Sequence, residues 1–206
     1  DIRGFTKISE TYKEHPQELT EFVNKFLTPM TKVSLDRHGT IDKYMGDCVM
    51  AFWNAPLPDM AHPTNACSSA LAMLQACEEV GVIVKQQAEQ RAEAARQTIL
   101  SLQRTPHTTQ NKELAQAKKS LALAEQEKLL DVAIGIGLNT DVVCVGNMGS
   151  DQRFDYSIVG DGVNLAARLE GQSKSYGVNI VIGENTYAEA PELAVVELDL
   201  IQVKGK

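Results

Sequence analysis

The chain is short of several things, and each shortage removes a class of function. Positive charge comes first: 20 Lys and Arg stand against 27 Asp and Glu, a formal net charge of -7. Non-specific binding to nucleic acid needs a basic stripe, so no nucleic-acid partner is expected. Nucleotide binding stays open, because metal ions and local cations offset phosphate charge. The 4 cysteines, Cys48, Cys67, Cys77 and Cys144, have no CxxC spacing and no His partner in metal-ligand register. That predicts free thiols in a reducing cytosol rather than zinc or a disulfide framework. No apolar run stands out as long enough to span a bilayer, and no signal peptide opens the sequence. The Walker spacing of a P-loop is also missing. Both ends read as cut from a larger protein. The sequence starts on Asp1 with no strand before it and stops on Lys-Gly-Lys after an apolar stretch. Sensor or membrane segments are expected outside residues 1–206, around a cytoplasmic domain.

What is present suits one large domain with an insertion. Hydrophobic residues make up 43% of the 206 residues and charged ones 23%, enough for a sizeable core. Leu19, Phe22, Val23, Phe26, Leu27 and Met30 recur at helical spacing and predict a helix from Pro16 to His38, with Pro29 as a kink or break and Gly39 as terminator. Thr40 to Asn54 reads as two strands around a tight Gly46-Asp47 turn. His62 to about Leu102 and Gln110 to Leu130 read as helices, with Gly81 a weak point in the first. The Thr105–Thr109 breaker would make them an antiparallel helical hairpin over roughly residues 80–130. Its Ala-rich, mixed-charge sequence suits a solvated insertion, a dimer contact or a docking arm alike. Asp131 to Leu138 alternates like a strand, and Val142 to Val145 follows as a second one across the Asn139-Thr140-Asp141 turn. Asp161 is a candidate N-cap for a helix from Val163 to Ser173. Val178 to Ile182 reads as a strand, Glu184 to Ala188 as a helix, and Leu193 to Val203 as strand-like. Turns too short for parallel crossovers favour an α+β layer, antiparallel or mixed, over a doubly wound sheet.

Three groups of residues can carry chemistry. Asp1 and Asp47 sit at a strand end and a hairpin turn, where carboxylates point out of a sheet and offer hard oxygen ligands to Mg²⁺. Ile2 to Thr6 places a Gly just after such an Asp, as a nest of backbone N–H groups for phosphate would. Asn164 and Arg168 are i and i+4 on one helix, an amide beside a guanidinium, suited to a ribose oxygen and a phosphate. Taken singly, each also fits an ordinary solvated turn or polar helix face.

Taken together, the ordered motifs resemble a known family. Asp-Ile-Arg-Gly-Phe-Thr at Asp1 to Thr6, Lys-Tyr-Met-Gly-Asp at Lys43 to Asp47, Val-Gly-Asn-Met-Gly-Ser at Val145 to Ser150, and the run from Phe154 to Glu170 are similar to the class III nucleotidyl cyclases, on the bacterial adenylate cyclase branch. The resemblance covers the chain except about Gln86 to Gln126. It implies an α+β, ferredoxin-like cyclase fold with a mainly antiparallel central sheet. It implies a homodimer with active sites between the subunits, and formation of cyclic AMP and pyrophosphate from ATP. Asp1 and Asp47, with the Ile2 carbonyl, match the ligands of two Mg²⁺ ions, for which Mn²⁺ can substitute. Gly4, Phe5 and Thr6 would lie by the β- and γ-phosphates. Arg168 matches the transition-state arginine, Asn164 the ribose-orienting asparagine, and Lys204 a triphosphate-binding lysine.

The resemblance also bears on base choice. Adenine presents an acceptor at N1 and a donor at N6, and Lys43, a donor only, suits N1. Guanine has a donor at N1, and the mismatch would cost about 1–3 kcal/mol. Guanylate cyclases of the family carry Glu at the Lys43 position. Ser157 stands where adenylate cyclases usually have Asp or Thr. Its hydroxyl accepts from N6 but can also donate, so it discriminates less. A guanylate or relaxed cyclase, and a non-catalytic nucleotide-binding domain, are the alternative readings. Asp141 stands where relatives usually have Gly.

Overall fold

A computed structural model describes residues 1–104 and 110–201. The elements in order are α1 (Phe5–Thr11), α2 (Pro16–Leu35), β1 (Thr40–Met45), β2 (Cys48–Phe52), α3 (His62–Arg104), α4 (Gln110–Glu127), β3 (Ile136–Leu138), β4 (Cys144–Ser150), β5 (Arg153–Val159), α5 (Asp161–Ser175), β6 (Ile180–Ile182) and α6 (Glu184–Glu189). They fall into two compact units. The first holds Asp1–Arg3, Phe26–Ala76 and Ile134–Lys206, and the second Gly4–Lys25 and Cys77–Ala133.

The first unit carries all the strands, in three pairs. β1 and β2 are antiparallel, as are β4 and β5, while β3 and β6 are parallel. Gly46 opens the β1–β2 turn with φ 66°, the positive angle that a two-residue hairpin turn needs at its first central position. Asp42 is an extra residue in β1: Ile41 pairs with Ala51 and Lys43 with Met50, so the strand bulges there. The proposed hairpin across Asn139–Asp141 does not form. β3 turns to β6 and β4 to β5. Asn139 instead donates from Nδ2 to Gly162 O at 3.2 Å, which ties the segment to α5. Asp141 takes no left-handed angle. The strand expected over Asp131–Leu138 shortens to Ile136–Leu138, with one further bridge between Ile134 and Ile2. Leu193–Ile201 forms no strand; Gln202 and Val203, the rest of that segment, lie outside the described residues.

Gly137 on β3 and Gly135 just before it set the spacing to α5. A Cβ on Gly137 would lie 2.1 Å from Ala166 O and 2.3 Å from Glu170 N, and one on Gly135 would lie 2.6 Å from Ser173 Oγ. The helix therefore rests on bare backbone. α5 begins at Asp161 itself, after Gly160, and no side chain caps it. Helix α2 runs unbroken through Pro29. His38, at φ 63°, makes the left-handed turn after it, and Gly39 is needed for room: a Cβ there would meet Ser34 O at 2.8 Å and the Trp53 ring at 2.9 Å.

The second unit contains α1, α4 and parts of α2 and α3. Ion pairs between α3 and the α4 end fix an antiparallel course: Glu89 with Lys128 at 2.6 Å, Arg91 with Glu127 at 2.6 Å, and Arg96 with Glu125. Ala88, Ala92 and Ala124 are almost fully buried, so the helices meet on small side chains. Glu127 is only 2% exposed and hydrogen-bonds the Tyr12 hydroxyl, itself buried. Burial, then the Glu127 charge, push the Tyr12 phenol far above its usual range. Thr105–Thr109, the expected breaker, lie outside the described residues. Gly81 does not interrupt α3.

One 18-residue window of α3 reaches a mean hydropathy of 1.4, so by length and composition alone this helix could cross a membrane. That corrects the sequence expectation of no such run. Buried Cys77, Val80, Val84, Ala88, Ala92 and Ala95 recur along it at helical spacing, the pattern of a helix packed on protein. The four cysteines are free, and burial raises Cys48, Cys67 and, to about 11, Cys77.

Two glycine substitutions should act in opposite directions. Gly137→Ala forces α5 off β3 and should lower unfolding free energy by about 1–3 kcal/mol in urea titrations. Gly171→Ala, in α5 with open space around it, should raise it by about 0.5–1 kcal/mol.

Candidate functional site

The first three residues of the chain are held to the first unit by backbone and side chain. Gly135 N–H donates to Asp1 O at 3.0 Å, and the Asp1 nitrogen donates to Gly135 O at 3.2 Å. Ile2 is buried, and its N–H donates to Asp47 Oδ2 at 3.0 Å. The backbone that carries Asp1 and the Ile2 carbonyl is thereby fastened to the hairpin turn that carries Asp47. Arg3 completes the attachment. Its guanidinium donates to Ile134 O at 3.1 Å, to Ser173 Oγ at 3.3 Å and to Val178 O. Sequence reasoning passed over Arg3, which stands between Ile2 and Gly4. Nothing in the sequence pairs it with three acceptors more than 130 residues away.

The oxygen donors here fit a hard cation. Two carboxylates and a carbonyl supply only part of a Mg²⁺ shell and leave positions for phosphate oxygens. No cluster of three or more His, Cys, Asp or Glu side chains occurs among the described residues, so the substrate itself would have to complete the shell.

Lys43 and Ser157 also come together, from β1 and β5. Lys43 Nζ donates to Ser157 Oγ at 3.4 Å. Between them lies a residue that sequence reasoning missed. Asp42, whose side chain is 0% exposed, accepts from Ser157 Oγ at 2.7 Å and from Ile158 N–H at 3.3 Å, both on Oδ2. Its Oδ1 lies 3.2 Å from Lys43 Nζ without a hydrogen bond. In a regular strand, neighbours 42 and 43 would point to opposite faces. The bulge at Asp42 re-aims the chain, so both side chains reach Ser157. The irregular register that places Asp42 there cannot be read from an Ile-Asp-Lys triplet.

Asn164 and Arg168 share a face of α5. Asn164 is exposed and Arg168 half-buried, and among the described residues neither side chain has a hydrogen-bond or ion-pair partner. They stand free for a ligand, and among the described residues no hydrogen bond or ion pair joins them to Lys43 or Asp47. Gly4, Phe5 and Thr6 belong to the second unit. Gly4 caps α1 at φ 66°, and its carbonyl accepts from Lys7 N–H at 2.9 Å. Lys204 lies outside the described residues.

Large apolar side chains stand exposed on the strands that bear these groups: Tyr44 and Met45 on β1, Val145 on β4, Phe154 and Val159 on β5.

The profile of the adenylate and guanylate cyclase catalytic domain matches residues 1–206. An adenylate cyclase of Anabaena cylindrica is 30% identical over 210 residues, covering 100% of this chain and 33% of that protein. The structure of the adenylyl cyclase CyaB from P. aeruginosa is 30% identical, with a TM-score of 0.67 over 100% of this chain and 85% of that one. The guanylyl cyclase Cya2 is 27% identical, also with a TM-score of 0.67, over 100% of this chain and 83% of that one. The chain spans between 8% and 33% of the length of three curated adenylate cyclases it matches.

Arg3→Ala should lower unfolding free energy by about 2–3 kcal/mol, since a charged donor leaves three acceptors. Amide exchange at Ile2 should rise with it. Arg3→Lys should recover less than half of the loss, because an ammonium lacks the planar fork.

Proposed function

The chain belongs to the family of adenylate and guanylate cyclase catalytic domains, and from that premise we propose that it converts ATP to 3′,5′-cyclic AMP and pyrophosphate at sites shared by two copies. Members of the family act on a nucleoside triphosphate, and solved structures of both base specificities resemble this fold. One observation favours adenine. Lys43, a donor-only side chain, stands beside Ser157, where an acid at position 43 would suit guanine N1.

In this reading Asp1, Asp47 and the Ile2 carbonyl hold two Mg²⁺ ions, for which Mn²⁺ can stand in. When bound, these ions favour the ionised ribose 3′-hydroxyl and offset phosphate charge. The chain's own groups do the rest. The guanidinium of Arg168 offers a permanent positive charge where negative charge builds on the α-phosphate, and a half-buried setting strengthens it. Asn164, one helical turn earlier, holds the ribose so that the 3′-oxygen faces the α-phosphorus in line with the leaving pyrophosphate. The amides of Gly4 to Thr6, and Lys204, take the β- and γ-phosphates.

Two copies are needed because the metal-binding carboxylates of one chain work with the Lys43, Asn164 and Arg168 of the other. The exposed Tyr44, Met45, Phe154 and Val159 supply an apolar surface for the pairing. The wider protein would be cytoplasmic in this part, with further domains, as in the longer relatives.

Cyclic product from ATP and from GTP, followed against protein concentration, tests the proposal. ATP should be favoured, and specific activity should rise with concentration. Asp47→Ala and Arg168→Ala should each lower kcat by at least about 100-fold. Mixing the two variants should restore activity at one site per heterodimer. Absence of recovery would defeat the shared site, and equal use of GTP would defeat the adenine reading.

A further inference from the structure

We infer that Asp42 sets the base selectivity of the site by holding the proton of Ser157. The inference rests on the adenine-reading role proposed for Lys43 and Ser157. A serine hydroxyl has one proton and two acceptor lone pairs, so alone it can serve either an amino group or a carbonyl. Its surroundings here remove that freedom. Lys43 Nζ, 3.4 Å away, carries donors only and takes one lone pair. Asp42 Oδ2, 2.7 Å away, is a carboxylate oxygen that also receives the Ile158 N–H, and it takes the proton. One lone pair is left for a ligand.

That leftover lone pair distinguishes the two purines. The exocyclic group of adenine at position 6 is an amino donor and matches it. The exocyclic group of guanine at the same place is a carbonyl, and two acceptors then face each other. Asp42 thus makes a serine behave as an acceptor, as a carboxylate at that position would. With the Asp42 side chain sealed from water and Ser157 only 5% exposed, the bond between them is shielded from solvent. Asp42 is a positioning residue: it acts on the base through Ser157 and through the Lys43 ammonium, 3.2 Å from Oδ1.

The test compares kcat/KM for ATP and GTP in the purified protein, with binding of non-cyclisable analogues of both as a second measurement. Asp42→Ala should lower the ATP:GTP ratio about tenfold, mainly by improving GTP, because the freed hydroxyl can now donate to the guanine carbonyl. Asp42→Asn keeps the volume and offers an amide that can donate to Ser157, so it should relax the ratio in the same direction even if the alanine variant folds poorly. In a Ser157→Ala background, Asp42→Ala should leave the ratio where Ser157→Ala alone put it. A purely structural Asp42 would depress both substrates equally and leave the ratio unchanged, and that result overturns the inference. If Ser157→Ala shifts the ratio and neither Asp42 variant does, the inference falls while the base reading stands. If the wild-type protein shows no preference, or Ser157→Ala does not move it, both fall together.

Discussion

No side chain fits between β3 and α5, and much of the first unit follows from that. Gly135 and Gly137 present bare backbone to the helix, so α5 settles against the strand at a distance that any Cβ would forbid. The position of Ser173 is then set, and Ser173 accepts from Arg3. Arg3 in turn fastens the opening residues, and Ile2 hands its N–H to Asp47. The free face of the same helix carries Asn164 and Arg168. A packing constraint made of two absent side chains thus governs where five polar ones can stand.

The carboxylates near these strands do different work. Asp47 shares a turn with Gly46 and gives one oxygen to a backbone amide, which orients it. Asp42 is sealed from solvent, and a sealed charge survives only with close donors and a counter-ion. A hydroxyl, an amide N–H and an ammonium meet that demand from two strands at once. The second unit holds a comparable arrangement in Glu127, with Tyr12 and Arg91 around it, far along the chain from any residue given a chemical role.

Much of this was legible in the sequence, for identifiable reasons. The β1–β2 hairpin could be read because Gly-Asp between alternating apolar residues is local chemistry. The two long helices could be read because their periodicity persists over many turns. Family membership was carried by several ordered motifs rather than by any single one. What escaped depended on partners distant in the chain. Ile136–Leu138 looks like half of a hairpin with Val142–Val145, yet parallel pairing with Ile180–Ile182 wins because Gly137 admits α5. Leu193–Ile201 has strand-like residues but pairs with no strand among the described residues. Pro29 reads as a kink or a break, and the helix continues through it unbroken. Arg3 and Asp42 gave no local sign, since one acts across the whole chain and the other through a bulge.

The hydrogen bond from Ser157 to Asp42 also constrains how this sequence can change. Aspartate at position 157 would set a second carboxylate beside one already sealed from water. Two like charges at that range oppose each other strongly. Such an aspartate would be tolerated more easily once the acid at position 42 is gone. The two positions are therefore coupled: an acid at 157 is opposed while Asp42 stays, whereas a residue that keeps a hydroxyl there preserves the bond.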